Sequence, residues 1–206
     1  LAAIEENSSW LGTITLGEYA EKHPPLGRVY LPTASYAEMQ EWSLPPAVSY
    51  DYGHLLKDLE TENQEDIAKY IHAGFWRSFM SKYPEINSMQ KKMLRVHDKV
   101  YRARESSGAE AGLDELWRGQ LNCPYWHGVF GGIYFAHIRY GIYRHLLTAE
   151  NSADKIMFEK KSFISHESID FDSDAQTELL IESDKQNIYI DPNRGGSIFE
   201  WDLRRP

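Results

Sequence analysis

Between Asn122 and Tyr134 the chain reads Asn-Cys-Pro-Tyr-Trp-His-Gly-Val-Phe-Gly-Gly-Ile-Tyr. Few stretches carry so many groups suited to gripping a polyhydroxylated ring. Trp126 offers an apolar face and one N–H, and His127 can donate or accept a hydrogen bond. Asn122 and Tyr125 flank them with further polar groups. Pro124 fits the first turn of a helix, so the block is expected to open the long apolar helix that follows. Glycines at 128, 131 and 132 each cost roughly 1 kcal/mol inside a helix, tolerable where a backbone or ligand comes very close. Two readings stand at this point, a sugar-ring platform and a tightly packed core helix. Trp76 beside Arg77 is a second aromatic candidate, although a Trp-Arg pair in a helix usually packs locally.

Carboxylates offer a different chemistry. Asp170, Asp172 and Asp174 alternate ahead of Glu178, and such oxygens can converge on calcium. Ala175 stands where a calcium loop normally wants glycine, so an acidic strand end explains the same pattern. Zinc has no support, because neither His-Glu-x-x-His nor Cys-x-x-Cys spacing occurs. Cys123, the single cysteine, has no matching base or resolving thiol in its sequence neighbourhood.

The elements that must position these groups change character along the chain. Residues 1–45 alternate short helix and strand signals. Thr15 with Glu18 and Ser35 with Glu38 fit capping boxes, and Arg28–Leu31 reads as a short buried strand. From about 52 to 150 the period is helical. Ile67, Ile71, Phe75 and Phe79 lie four apart. Ile86, Met89, Met93, Val96, Val100 and Ala103 alternate spacings of three and four between Pro84 and Ser106-Ser107-Gly108. Lys91, Lys92, Arg95 and Lys99 read as that helix's solvated face. From about 158 the period becomes two, with a hairpin around Ser183–Gln186 and a further strand at 197–201. The expected fold is mainly α: a helical bundle with a short α/β N-terminal remnant and a partial antiparallel β segment.

The composition is 42% apolar, 26% charged and 13% aromatic over 206 residues, that of a globular domain. A formal charge of −9 argues against nucleic acid, whose phosphates need clustered Lys and Arg. No apolar run is long enough to span a membrane, and no signal-peptide pattern opens the chain. One cysteine excludes an internal disulfide and suits a reducing compartment, so a cytoplasmic location is expected. With no initiating Met and both ends close to element signals, the chain is expected to be a piece of a longer protein.

The block at 122–132 resembles the last shared motif of the family 57 glycoside hydrolases, the α-amylase and 4-α-glucanotransferase group. Asn122, Tyr125, Trp126, His127, Gly128, Phe130, Gly131 and Gly132 carry the match, while Cys123 stands where some members have Asp. Two further segments are similar in the same order: Arg28–Tyr36 with Glu38, Met39, Glu41 and Trp42, and Gly74–Arg77 followed by Lys82–Glu85. The stretch from Asp170 to Glu200 looks like the start of the family's C-terminal β-sandwich. The resemblance implies three parts. Residues 1–45 would close a catalytic barrel, 46–150 would form the central helical domain, and 158–206 would begin the sandwich. It also implies an α-glucan or maltooligosaccharide ligand, a retaining mechanism, and Trp126, His127, Tyr125, Asn122 and Trp76 as substrate contacts. The catalytic Glu and Asp would lie in an upstream barrel domain of the same polypeptide. Glu38, Glu41 and Asp114 are explained by capping and solvation, so no catalytic residue is assigned within this chain. The alternative is a non-catalytic carbohydrate-binding or structural helical module.

Overall fold

The computed structural model describes residues 2–31, 35–106, 108–128 and 130–204, with Glu65 described by its backbone alone. Pro32, Thr33 and Ala34 of the second motif segment, and Ser107 of the expected helix stop, lie outside the described residues. Two compact units are present, Leu1–Ala34 and Ser35–Pro206.

The first unit carries α1 (Ala2–Glu6) and α2 (Leu16–Lys22). The Thr15 hydroxyl accepts the Glu18 N–H and the Glu18 carboxylate accepts the Thr15 N–H, so the expected capping box forms. The strand expected at Arg28–Leu31 does not. Val29, Tyr30 and Leu31 are exposed, and no described strand of this unit is available to pair with them.

The second unit begins with α3 (Ala37–Trp42), α4 (Pro46–Thr61), α5 (Glu65–Ala68) and α6 (Trp76–Lys82). The expected continuous face through Ile67, Ile71, Phe75 and Phe79 is broken between α5 and α6. Backbone donors there go to α3 instead: Ala73 N–H to Gln40 Oε1 at 3.1 Å and Gly74 N–H to Gln40 O at 3.3 Å. The Ser35–Glu38 box is also absent. Tyr36 precedes the helix, and the Ser35 hydroxyl accepts the Trp76 N–H at 3.1 Å, tying α3 to α6.

Three longer helices follow, α7 (Pro84–Ala103), α8 (Glu110–Gly119) and α9 (Ala136–Met157). The three-four seam of α7 is borne out, with Ile86, Met89, Val96, Val100 and Ala103 buried against Leu116, Ile142, Leu146 and Ala149. Gly119 lets α8 and α9 close up, since a Cβ there would meet Leu146 Cδ2 at 2.5 Å.

Four strands complete the unit: β1 (Ile164–Ile169), β2 (Glu178–Ser183), β3 (Gln186–Asp191) and β4 (Ser197–Leu203). They form one antiparallel sheet in sequence order, and the expected β2–β3 hairpin turns at Ser183. The sheet packs on α7 and α9 through charge. Glu182, Asn187, Tyr189, Glu200, Asp202 and Arg204 all turn to the buried face. This overturns the reading of the α7 cations as a solvated face. Lys92 is fully buried, with Nζ 2.9 Å from Asp202, 3.1 Å from Glu200 and 3.3 Å from Glu150. Lys99 reaches Glu150 at 2.6 Å and Glu182 at 2.8 Å, and Arg95 grips Glu182 at 2.7 Å. Arg204 closes the network on Asp154 at 2.6 Å. Burying these ions is costly, and only this dense mutual pairing offsets it. The opposite face of the sheet is apolar, with Ile164, Ile198, Trp201 and Leu203 exposed.

Candidate functional site

The helix expected from Pro124 onward starts only at Ala136. The intervening residues make two single turns of 3-10 helix, Cys123–Tyr125 and Gly132–Tyr134, joined by a tight loop. Val129 lies outside the described residues. Gly131 and Gly132 take φ of +104° and +43°, which ends any helix. Gly132 is also the site of a close approach. A Cβ there would lie 2.3 Å from Trp126 O and 2.4 Å from His127 O. The Ile133 N–H donates to that same Trp126 O at 3.0 Å. The glycines therefore serve a backbone contact, and this contact sets the direction in which residues 126 and 127 project.

Two of the candidate residues hold this loop from below. Tyr125 is buried and its hydroxyl donates to Gly119 O at 2.6 Å. The Trp76 indole N–H donates to Tyr125 O at 3.2 Å. Both side chains spend their polar atoms inside the protein. Asn122 is exposed at the loop entrance.

Trp126 and His127 are half-buried within an aromatic cluster that α3, α6 and the 132–134 turn supply. Trp126 lies 5.7 Å from Trp42 at a small interplanar angle and 5.2 Å edge-on from Tyr36. The His127 ring has Trp42, Phe79 and Tyr83 edge-on at 5.0–5.1 Å and stacks on Tyr134 at 5.3 Å. Tyr36 and Tyr134 are exposed, so the cluster has an open rim. Burial, with the Lys82 ammonium nearby, lowers the His127 pKa from its ordinary value. The imidazole is therefore neutral at pH 7, able to donate from one nitrogen and accept at the other. Lys82 itself donates to Trp42 O and Leu44 O at 2.9 and 2.7 Å, fixing the end of α3. Among the described residues, the buried Trp126 indole N–H has no hydrogen-bond partner. Unmet buried donors are uncommon, and this one stands on the ring singled out for sugar contact.

Sequence reasoning named Trp126 and His127 but missed their surroundings. Tyr36 and Trp42 fall within one resembling segment, and Tyr83 follows Lys82 in another. Their convergence on His127 depends on where α3 and α6 pack.

The acidic loop is compact. Asp170, Asp172 and Asp174 each place a carboxylate oxygen within 4.8 Å of the others. Asp170 already accepts the backbone N–H groups of Asp174 and Ala175, and Asp174 accepts that of Gln176. Ala175 adopts φ +70° in place of glycine. Among the described residues the buried Asp172 Oδ1 has no partner, and burial with the Asp174 charge raises this carboxyl's pKa. These oxygens fit a hard cation such as calcium, with Asp172 Oδ1 as the oxygen not already engaged among the described residues.

Residues 74–153 match the middle domain of the α-amylase/4-α-glucanotransferase family and residues 170–206 match its C-terminal domain. The chain belongs to this family. α-Amylase 1 of Dictyoglomus thermophilum is 42% identical over 205 residues, covering 99% of this chain and 29% of that protein. The 4-α-glucanotransferase of Thermococcus litoralis is 35% identical over 98% of this chain and 28% of its own length. A crystal structure of 4-α-glucanotransferase from that organism superposes with a TM-score of 0.69 at 36% identity, covering 93% of this chain and 28% of that one. The chain thus spans less than a third of the length of these relatives. Among the described residues, no helix is long and apolar enough to cross a membrane.

Proposed function

We propose that this chain contributes a glucan-contacting wall to an α-glucan-acting hydrolase or transglycosylase of the retaining type, an α-amylase or a 4-α-glucanotransferase. On this reading residues 1–45 belong to the catalytic barrel, 46–150 form the central bundle and 158–206 begin a β-sandwich. The catalytic carboxylates reside on the barrel portion of the same polypeptide. The apolar outer face of the sheet, with Ile198, Trp201 and Leu203 exposed, supports a second sandwich layer. The single cysteine is in keeping with a cytoplasmic protein.

The observation that carries the reading is the half-buried Trp126–His127 pair, with a neutral imidazole and the exposed Tyr36 and Tyr134 at its rim. A glucose unit presents an apolar face to an aromatic ring and hydroxyls to such groups. Tyr125 and Trp76 are assigned to holding the loop, since their polar atoms are engaged internally. Titration with maltooligosaccharides, followed by tryptophan fluorescence, tests the proposal. Wild type should respond, Trp126→Ala should not, and Trp117→Ala, which removes an exposed tryptophan of α8, should respond as wild type does. An unresponsive wild type, or an equal response from Trp126→Ala, would remove the platform and leave a structural helical module. The chain alone should show no glycosidase turnover. Turnover abolished by changing one of its own carboxylates would overturn that assignment.

A further inference from the structure

One cavity lies far from the aromatic loop. It has a volume of about 790 Å³ and lies where the last turns of α9, the 160–163 segment and the β2–β3 turn meet. From Ala136 to Lys155 the rise of α9 places it roughly 28 Å along the helix from the loop end. We propose that this cavity is a binding site for a small sugar phosphate, independent of the glucan surface.

Charge comes first. Lys155, Lys160, Lys161 and Lys185 all line the cavity and are exposed, on a chain whose formal charge is −9. Lys161 is paired with Glu159. Lys155, Lys160 and Lys185 make no ion pair among the described residues. Three ammonium groups without an ion pair outnumber the one exposed carboxylate of the cavity, Asp184, and this excess of positive charge favours an anion. A phosphate group, with several acceptor oxygens, suits three lysines better than a neutral glucan does.

Size and lining then define the rest of the ligand. A cavity of this volume is in the range that holds whole organic ligands, well beyond an inorganic anion. Phe163, stacked on Phe158 with ring centroids 3.8 Å apart, gives it an apolar wall. The Asp184 carboxylate lines it too, engaged by the Ser162 hydroxyl at 2.9 Å. Asp154, a further lining residue, is buried and committed to Arg204 at 2.6 Å and Lys99 at 3.3 Å, which leaves Asp184 as the exposed carboxylate of the cavity. The second Asp184 oxygen calls for a hydroxyl donor on the ligand body. An anionic head joined to a hydroxylated ring with an apolar face is a sugar phosphate.

Calorimetric titration with glucose 6-phosphate, beside glucose and inorganic phosphate, tests this. The expected result is saturable binding of the sugar phosphate, weaker binding of inorganic phosphate and none of glucose. The triple variant Lys155→Ala/Lys160→Ala/Lys185→Ala should lose about tenfold or more in affinity. Its circular dichroism should match wild type, because all three side chains are exposed. Asp184→Asn should weaken the sugar phosphate while leaving inorganic phosphate unchanged, and Trp126→Ala should bind as wild type does. Absence of saturable binding, an unaffected triple variant, or glucose or inorganic phosphate binding as tightly would each overturn the proposal. None of these outcomes bears on the maltooligosaccharide response of Trp126.

Discussion

Replacing Lys92 by alanine should be among the most damaging single changes available in this protein. The side chain is fully buried, and its ammonium faces Asp202 at 2.9 Å, Glu200 at 3.1 Å and Glu150 at 3.3 Å. The Tyr189 hydroxyl lies 3.0 Å from the same nitrogen. Truncation leaves those carboxyl groups in place without their shared cation. Removing one partner of a buried pair costs about 3–5 kcal/mol. For a unit of this size each kcal/mol lowers Tm by about 2–4 °C, so the expected fall is roughly 6–20 °C. Urea unfolding followed at 222 nm should report the same loss at low and high salt, because a buried interaction is barely screened. The triple change Lys92→Met/Glu150→Gln/Asp202→Asn should recover much of it, since uncharged groups of similar shape can replace buried ions at little cost. A loss below about 0.5 kcal/mol for Lys92→Ala is what a solvated lysine would give. That result would refute the buried-network account.

The remaining expectations concern pH, the glycine contact and the acidic loop. Burial and the neighbouring Asp202 carboxylate raise Glu200 to about 8. The folded state then keeps a proton that the unfolded chain releases above about pH 4.5, and stability falls as pH rises toward 8. Glu182 works in the opposite sense. Its hydrogen bond to Arg95 and the Lys99 and Arg95 charges hold it at about 2 against the cost of burial, so that contribution is lost as pH falls from about 4.5 toward 2. Thermal unfolding across pH should show both limbs, and Glu200→Gln should flatten the alkaline one alone. Gly132→Ala combines a left-handed φ with a clash against two carbonyls, so it should exceed the roughly 1–3 kcal/mol of backbone strain alone and abolish the glucan response. Gly196→Ala, with φ +73° and open space around it, should cost only about 1 kcal/mol in the same unfolding assay. Calcium should bind the Asp170–Asp174 loop with Kd of about 10⁻⁴–10⁻³ M. The accompanying rise in Tm should vanish in Asp172→Asn, and an equal rise in that variant would exclude this loop.

How legible these features were in the sequence depends on whether their causes are local. The α7 seam was readable because Ile86, Val96 and Val100 carry the helical period themselves, and Pro84 marks the start. The β2–β3 hairpin was equally local. Residues 67–79 misled, because a four-residue period survives there by chance while Gly74 and Ala73 give their N–H groups to Gln40. Lys92 misled for a deeper reason. Its counter-charges Glu150, Glu200 and Asp202 lie far away in sequence, so their convergence is a product of packing that no local pattern records. At the site, Trp126 and His127 were found through residue type and family resemblance. The rings around them come from α3 and α6, and the purpose of Gly132 is visible only once it rests on the carbonyls of 126 and 127.

The charged seam between sheet and bundle has a practical consequence for grafting pieces among relatives. A junction cut in the loop after α9 looks harmless, because few apolar contacts cross it. Yet such a chimera would present Glu182, Glu200 and Asp202 to foreign helices lacking cations at matching heights. Transplants that keep α7 and α9 together with their own sheet should assemble, whereas those exchanging the sheet alone should yield two folded halves that refuse to dock.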